Sequence, residues 1–246
     1  MISDNKVLAD FGNSRVKFVI NNQIKAFAYN SEELTSFVES IETKSIVKLV
    51  YSTVNKKDSD SVISKLKQKG LEIYNIEESI SKTDGIDFSG VTGMGADRKL
   101  SLFAVHHLSD SPTVTVDCGT AITVNILDED NICHGGVIFP GFYTQAKALN
   151  EFTSGLPLVD SISIDENRYG DNTQDAIKNG ILNSIVGGIV CTIRNSPFSA
   201  VPDVYVTGGY GEYFIDCLSK RYPNVIYDEH LVLKGMEQIL NNTIQI

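Results

Sequence analysis

Short alternating apolar segments separated by Asn, Asp and Gly open the chain. Lys6 to Ala9 is β-rich and leads into Asp10-Phe11-Gly12-Asn13-Ser14. A second run follows to Ile20, and Asn21-Asn22 separates it from a third, Gln23 to Tyr29. Alternation broken by turn residues predicts a strand–turn–strand–turn–strand meander. The period then changes. Leu34, Phe37, Val38 and Ile41 fall on one helical face behind Ser31, which predicts a helix to about Glu42 with Ser31 as its N-cap. Further on, the pattern predicts a strand over 45–52, a helix over 58–69 stopped by Gly70, and a strand over 71–75. A Gly-, Ser- and Asp-rich loop over 81–95 and a helix over 96–108 come next. Ser109-Asp110-Ser111-Pro112 reads as a boundary.

The pattern then starts again. Thr113 to Val116 is β-rich and leads into Asp117-Cys118-Gly119-Thr120, a second β run, the turn cluster Asp128 to Asn131, and a third run over 132–139. Laid without gaps, Asp10-Phe11-Gly12 falls on Asp117-Cys118-Gly119 at an offset of 107 residues (117 − 10). Helices are predicted over 143–152 and 173–194, the second softened at Gly187-Gly188, with an irregular stretch over 151–171 between them. A strand over 203–206, a helix over 211–220, a strand over 224–226 and a last helix from Glu229 to about Leu240 complete the chain. Two copies of βββ followed by α and β elements make an α/β protein of two similar halves, 1–112 and 113–246.

Composition narrows the function classes. The 246 residues are 42% hydrophobic and 21% charged, enough to bury a sizeable core. With 21 basic and 31 acidic residues the net charge is −10, which argues against a nucleic-acid or anionic-membrane binder while leaving room for a local phosphate pocket. No apolar run reaches the roughly 18 residues of a bilayer span, and no secretory leader is read at the polar start. Cys118, Cys133, Cys191 and Cys217 form no C-x-x-C pair, so reduced thiols in a cytoplasmic protein are expected rather than zinc or disulfides.

The chemistry-bearing positions gather at the strand ends. Asp10 and Asp117 each precede a glycine and small polar residues, which can aim N–H and O–H donors at phosphate oxygens. A carboxylate beside such a loop serves a cation, since alone it would repel the phosphate. A single D-x-G is an ordinary turn; the duplicated pair points to two phosphate-facing hairpins. Val206-Thr207-Gly208-Gly209 is a strand entering a glycine turn, a place where backbone can lie against a nucleoside. Gly95-Ala96-Asp97-Arg98 opens a helix. There Asp97 either complements the helix dipole or accepts a hydroxyl proton beside a cation that holds an anionic substrate. Neither a Walker A loop nor a G-x-G-x-x-G fingerprint is present.

Together these motifs resemble the type III pantothenate kinases of the acetate-kinase, sugar-kinase, chaperone-ATPase and actin superfamily. Asp10 to Ser14 is similar to the family's D-x-G-N-T, Gly95 to Arg98 to its G-x-D-R, and Asp117 to Thr123 to its D-x-G-T-A-x-T. Gly135 to Gly141 is similar to G-G-x-I-x-P-G, and Asn172-Thr173 to the polar pair before a long helix. The D-x-G pair marks the superfamily; G-A-D-R and G-G-x-I-x-P-G mark the family. The resemblance implies two ribonuclease H-like halves, βββαβαβα, duplicated as in actin-like ATPases. It implies ATP-dependent phosphorylation of pantothenate to 4′-phosphopantothenate, the first step of coenzyme A synthesis, by a cytoplasmic homodimer that needs Mg²⁺ and K⁺ or NH₄⁺.

By the same resemblance Asp97 is the general base, and Phe88, Gly95, Ala96, Asp97, Arg98 and Thr173 contact pantothenate. Asp10, Phe11, Gly12, Asn13, Ser14, Arg15, Val16 and Lys17 hold the ATP phosphates, with Asp10 on Mg²⁺. Thr120, Gly208 and Gly209 lie against ATP, and Asp117 takes the monovalent cation. Two positions depart from the family pattern: Phe88 stands for a tyrosine and Val91 for a proline. A phenyl ring packs against substrate without donating a hydroxyl hydrogen bond. The alternatives are a related small-molecule kinase with another hydroxyl acceptor and a non-catalytic regulatory relative.

Overall fold

The computed structural model describes residues 5–42, 45–162 and 169–243. By internal contacts the chain forms two compact units. The first holds residues 1–85, 93–104 and 231–246, and the second holds 86–92 and 105–230. The sequence expectation divides the chain at residue 112. The packed units differ from it in two places: segment 86–92 belongs with the second unit, and the C-terminal helix belongs with the first.

The first unit contains β1 (Lys6–Phe11), β2 (Arg15–Ile20), β3 (Gln23–Ala28), α1 (Glu32–Ser40), β4 (Lys48–Thr53), α2 (Lys56–Gln68), β5 (Glu72–Asn75), the single turn α3 (Glu77–Ile80) and α4 (Ala96–Phe103). Its sheet runs β3-β2-β1-β4-β5. β1 is antiparallel to β2 and parallel to β4. The second unit contains β6 (Thr113–Cys118), β7 (Ala121–Leu127), β8 (Cys133–Pro140), α5 (Phe142–Phe152), α6 (Thr173–Arg194), β9 (Asp203–Thr207), α7 (Ile215–Ser219) and β10 (Val225–Tyr227). Its sheet has the order β10-β9-β6-β7-β8, the same arrangement, with β6 antiparallel to β7 and parallel to β9. The last helix, α8 (Leu231–Thr243), packs along α4.

The duplication is therefore real, and its register corrects the gapless alignment. Asp10 pairs with Lys17 and Asp117 with Thr123, so beyond the turn the offset is 106 residues (123 − 17). The first turn is one residue longer: Gly12 N–H donates to Arg15 O, whereas Gly119 N–H donates to Ala121 O. A one-residue slip in a strand turns every side chain to the opposite face. With the corrected register buried Val16 and Phe18 fall on buried Ile122 and Val124.

Helix ends follow local chemistry. Ser31 caps α1 as expected, and Asn55 and Asn172 accept from backbone N–H groups at the starts of α2 and α6. The helix predicted over 96–108 stops at Phe103. There the chain leaves the first unit, and the helical face breaks down: Val105 is fully buried while Leu108 is 57% exposed. The helix expected over 211–220 is a 3-10 turn followed by the short α7. α6 runs unbroken through Gly187-Gly188. Among the described residues it is long and apolar enough to cross a membrane by length and composition, against the sequence expectation; small residues such as Gly and Ser interrupt its apolar pattern without making it polar. Its stripe Ile177, Ile181, Ile185, Ile189 and Ile193 lies in the core of the second unit. Burying each such side chain stabilises by about 1.5–3 kcal/mol.

Candidate active site

In the first unit, β1 buries Val7, Ala9 and Phe11 against α1 and α2. Pleating therefore turns Leu8 and Asp10 to the other face, where α8 packs on β1 and α4 on β4. Ser52 of β4 is directly opposite Asp10 and shares that face, as does Lys17 of β2. The row Lys17–Asp10–Ser52 thus lies at the strand ends, on the side of the sheet that carries α4 and its Asp97.

The turn after Asp10 is held from two sides. Tyr29, just past β3, donates its hydroxyl to Gly12 O at 2.5 Å. Burial, then the charges of Asp10 and Asp58, push the Tyr29 phenol far above its ordinary pKa and keep it a donor. Asn55 donates to Asn13 O at 3.1 Å while its own Oδ1 caps Asp58 N–H at the start of α2. Asn13, Ser14 and Arg15 stay exposed on the turn. They present the donors a phosphate needs on a loop whose carbonyls are already bound.

Asp97 occupies the first turn of α4. Its Oδ1 accepts from Arg98 N–H at 2.8 Å, and Ser101 Oγ donates to its carbonyl at 2.9 Å. Burial raises its pKa above the usual aspartate value, opposed by the Arg98 N–H and the Arg98 guanidinium. A carboxylate raised in this way is more basic once ionised, which suits a proton acceptor better than an ordinary cap.

In the second unit, Asp117 has Thr123 on one side and Thr207 on the other. Gly208, at φ +86°, leaves the end of β9 in the left-handed region; a Cβ there would sit 2.4 Å from Asp117 Oδ1. Only glycine lets the backbone pass that carboxylate. Tyr210 N–H donates to Cys118 O at 3.0 Å and Tyr227 donates its hydroxyl to Gly208 O at 3.2 Å, fixing the turn beside the second hairpin. Thr120 stays exposed, and its carbonyl accepts from Gly141 N–H at 3.0 Å and from Thr144 Oγ1 at 2.6 Å at the start of α5. Gly209 has open space around it. Asp117, Thr120, Gly208 and Gly209 are thus gathered at one end of one sheet.

Thr173 is exposed at the first turn of α6, behind the Asn172 cap. Phe88 is half-buried in a segment stitched to the second sheet, where Asp87 N–H donates to Asn131 O and Cys133 N–H to Asp87 O, both at 2.9 Å. It packs with the second unit, Gly95 to Arg98 with the first. Among the described residues no three His, Cys, Asp or Glu side chains gather into a metal cage. Single strand-end carboxylates suit cations that take most of their ligands from phosphate and water, as Mg²⁺ does. All four cysteines are free thiols.

A sequence profile of the type III pantothenate kinases matches residues 6–195. The chain belongs to this family. It is 34% identical over 148 residues to the type III pantothenate kinase of Synechococcus elongatus, covering 59% of this chain and 59% of that protein. It is 28% identical over 197 residues to that of a Sulfurihydrogenibium species, covering 75% of this chain and 76% of that protein. Among solved structures, a Campylobacter jejuni protein named for the Baf family of transcriptional activators matches with a TM-score of 0.69 at 23% identity, over 98% of this chain and all of that one. Component A of the Acidaminococcus fermentans (R)-2-hydroxyglutaryl-CoA dehydratase matches at 0.54 and 11%, over 98% of each. At such identities these two speak for the fold alone.

The residues that brace the motifs, Tyr29, Asn55 and Thr144, and Ser52 beside Asp10 are not marked by the sequence pattern. No spacing rule marks them, because each acts across a sheet or between elements. A cavity of about 400 Å³ in the second unit, lined in part by Arg194, Arg221 and Tyr222, contains none of the motif residues. Arg194 sits in the last turn of α6, and Arg221 donates to Cys217 O in α7, so both arginines already serve helix ends.

Proposed function

We propose that this chain transfers the γ-phosphoryl group of ATP to the primary hydroxyl of pantothenate, giving 4′-phosphopantothenate and ADP. The observation that carries the reading is Asp97: a carboxylate made more basic by burial, in a G-A-D-R motif within the region that matches the family.

Asp97 accepts the hydroxyl proton as the pantothenate oxygen bonds to the γ-phosphorus and the bond to the β–γ bridging oxygen breaks. Arg98 holds the polar end of pantothenate, with Phe88 and Thr173 as further contacts. The turn of residues 12–17 and Thr120 bind phosphate oxygens, and Gly208-Gly209 lies against the nucleoside. Most of the rate comes from holding the phosphate in line and neutralising its charge. Asp10 would hold Mg²⁺ and Asp117 a K⁺ or NH₄⁺ ion; both cations supply positive charge to the phosphates.

A cytoplasmic homodimer completes the reading. Free thiols fit a reducing compartment. The apolar stripe of α6 lies in the core of the second unit. Exposed apolar side chains of β8 and α5 include Ile138 (61%), Tyr143 (45%) and Phe152 (82%), and these elements suit the partner. An ADP-release assay with pantothenate, with other small hydroxyl acceptors, and in K⁺ against Na⁺ buffers tests the reaction. Turnover with pantothenate that rises in K⁺ supports it; a preference for another acceptor makes the chain a related kinase, and no turnover with any acceptor overturns it. A stable active monomer in light scattering removes the dimer.

A further inference from the structure

Ser52 stands out among the polar side chains of the first unit. Its residue exposure is 0%, and its Oγ has no hydrogen-bond partner among the described residues. Leaving a buried hydroxyl unsatisfied is destabilising, and folds keep such groups when a ligand completes them. Ser52 is not buried at random. It faces Asp10 across the parallel β1–β4 pair, on the side of the sheet covered by α4 and α8. The repeat makes the same placement twice: Thr207 of β9, also buried, is directly opposite Asp117. In both units a strand-end aspartate thus has a buried hydroxyl side chain beside it on the neighbouring parallel strand.

We propose that Ser52 is a positioning residue for the cation at Asp10, its hydroxyl bonding a water in that ion's shell. This rests on the reading of Asp10 as the Mg²⁺ carboxylate. The chemistry fits a hard cation that keeps several waters and takes one carboxylate from the protein. Those waters donate outward and need acceptors in the wall around them, and outer-shell partners of this kind change metal affinity by about 10- to 100-fold. Ser52 offers its hydroxyl oxygen on the strand directly beside Asp10.

The test compares Ser52→Ala and Ser52→Thr with Asp10→Asn and the parent. Mn²⁺ is titrated by its electron paramagnetic resonance signal into the ADP-loaded protein, and Tm is measured without nucleotide or metal. Ser52→Ala is expected to weaken Mn²⁺ binding about 10-fold or more while Tm holds or rises, since an unsatisfied hydroxyl has been removed. Ser52→Thr, which keeps the hydroxyl, is expected to retain most of the affinity. Parent-like Mn²⁺ binding in Ser52→Ala overturns the proposal if Asp10→Asn has lost it. If Asp10→Asn also binds normally, the Asp10 reading itself fails and the proposal with it. A Tm loss in Ser52→Ala with unchanged Mn²⁺ affinity assigns Ser52 to packing and overturns it as well.

Discussion

Tyr29 and Gly12 are 17 residues apart and joined by a 2.5 Å hydrogen bond from the phenol to the carbonyl. The bond ties the end of β3 to the turn that follows Asp10. Its donor stays protonated because burial and the nearby Asp10 and Asp58 charges oppose ionisation. Tyr29→Phe keeps the ring and removes the tie. The turn then gains freedom, and the exposed donors of Asn13 to Arg15 lose their common orientation. Stability should fall by about 0.5–1.5 kcal/mol, the net worth of one hydrogen bond. KM for ATP should rise several-fold, with KM for pantothenate little changed. Equal changes in both KM values would mean that the turn is not a phosphate loop.

Asp97 gives a pH signature as well as a mutational one. Its folded pKa is raised by burial, so the protonated form is favoured in the native state. The sign follows: its contribution to stability is fully present below the unfolded value of about 3.9 and is lost as pH rises through the raised folded pKa. Activity runs the other way, since the base works only when ionised. The acid limb of kcat/KM should therefore lie above the ordinary aspartate range. Asp97→Asn should lose that limb and cost about 100- to 10,000-fold in kcat without lowering Tm at neutral pH. A variant within a few-fold of the parent would leave Asp97 as a helix cap.

Much of this was legible in the residues. Alternation and turn chemistry placed the two meanders, and the paired Asp-x-Gly turns exposed the duplication. What the pattern missed lies between elements. The one-residue difference between the two turns shows only in the Asp10–Lys17 and Asp117–Thr123 pairings, because strand register is set by partners and not by the strand alone. Ser52 reads as an unremarkable strand serine until β4 pairs with β1 and puts it beside Asp10. The C-terminal helix looks like the end of the second half, yet packs on α4, because helix–helix burial takes no account of chain order.

Phe88 tests the acceptor side of the reading. It is held in a backbone-paired segment with Val91 N–H on its carbonyl at 3.0 Å, so its ring position is set by the second sheet. If the ring lines the pantothenate pocket, Phe88→Ala raises KM for pantothenate more than KM for ATP, since only one substrate loses apolar contact. Phe88→Tyr restores the family's hydroxyl and should be tolerated. Loss of thermal stability with both KM values unchanged would make Phe88 a packing anchor of its own unit.

Gly235 of α8 sets how closely that helix approaches α4. A Cβ at this position would lie 1.9 Å from Leu100 O and 2.6 Å from Leu100 C, both backbone atoms that cannot swing aside. Leu100 is one turn along α4 from Asp97. Gly235→Ala must therefore push the two helices apart, and the displaced helix carries Asp97. Gly187 of α6 has nothing within 4 Å of its added Cβ, so Gly187→Ala is the matched control. There the better helix propensity of alanine should stabilise by up to about 1 kcal/mol. In Gly235→Ala the same propensity gain is outweighed by a backbone clash that costs more than the 1–3 kcal/mol typical of overpacked cores. Thermal denaturation should show a clear drop in Tm for Gly235→Ala and none for Gly187→Ala, and kcat should fall in the first variant only. A Gly235→Ala protein as stable and as active as its control would mean that α8 does not seat α4 in the working enzyme.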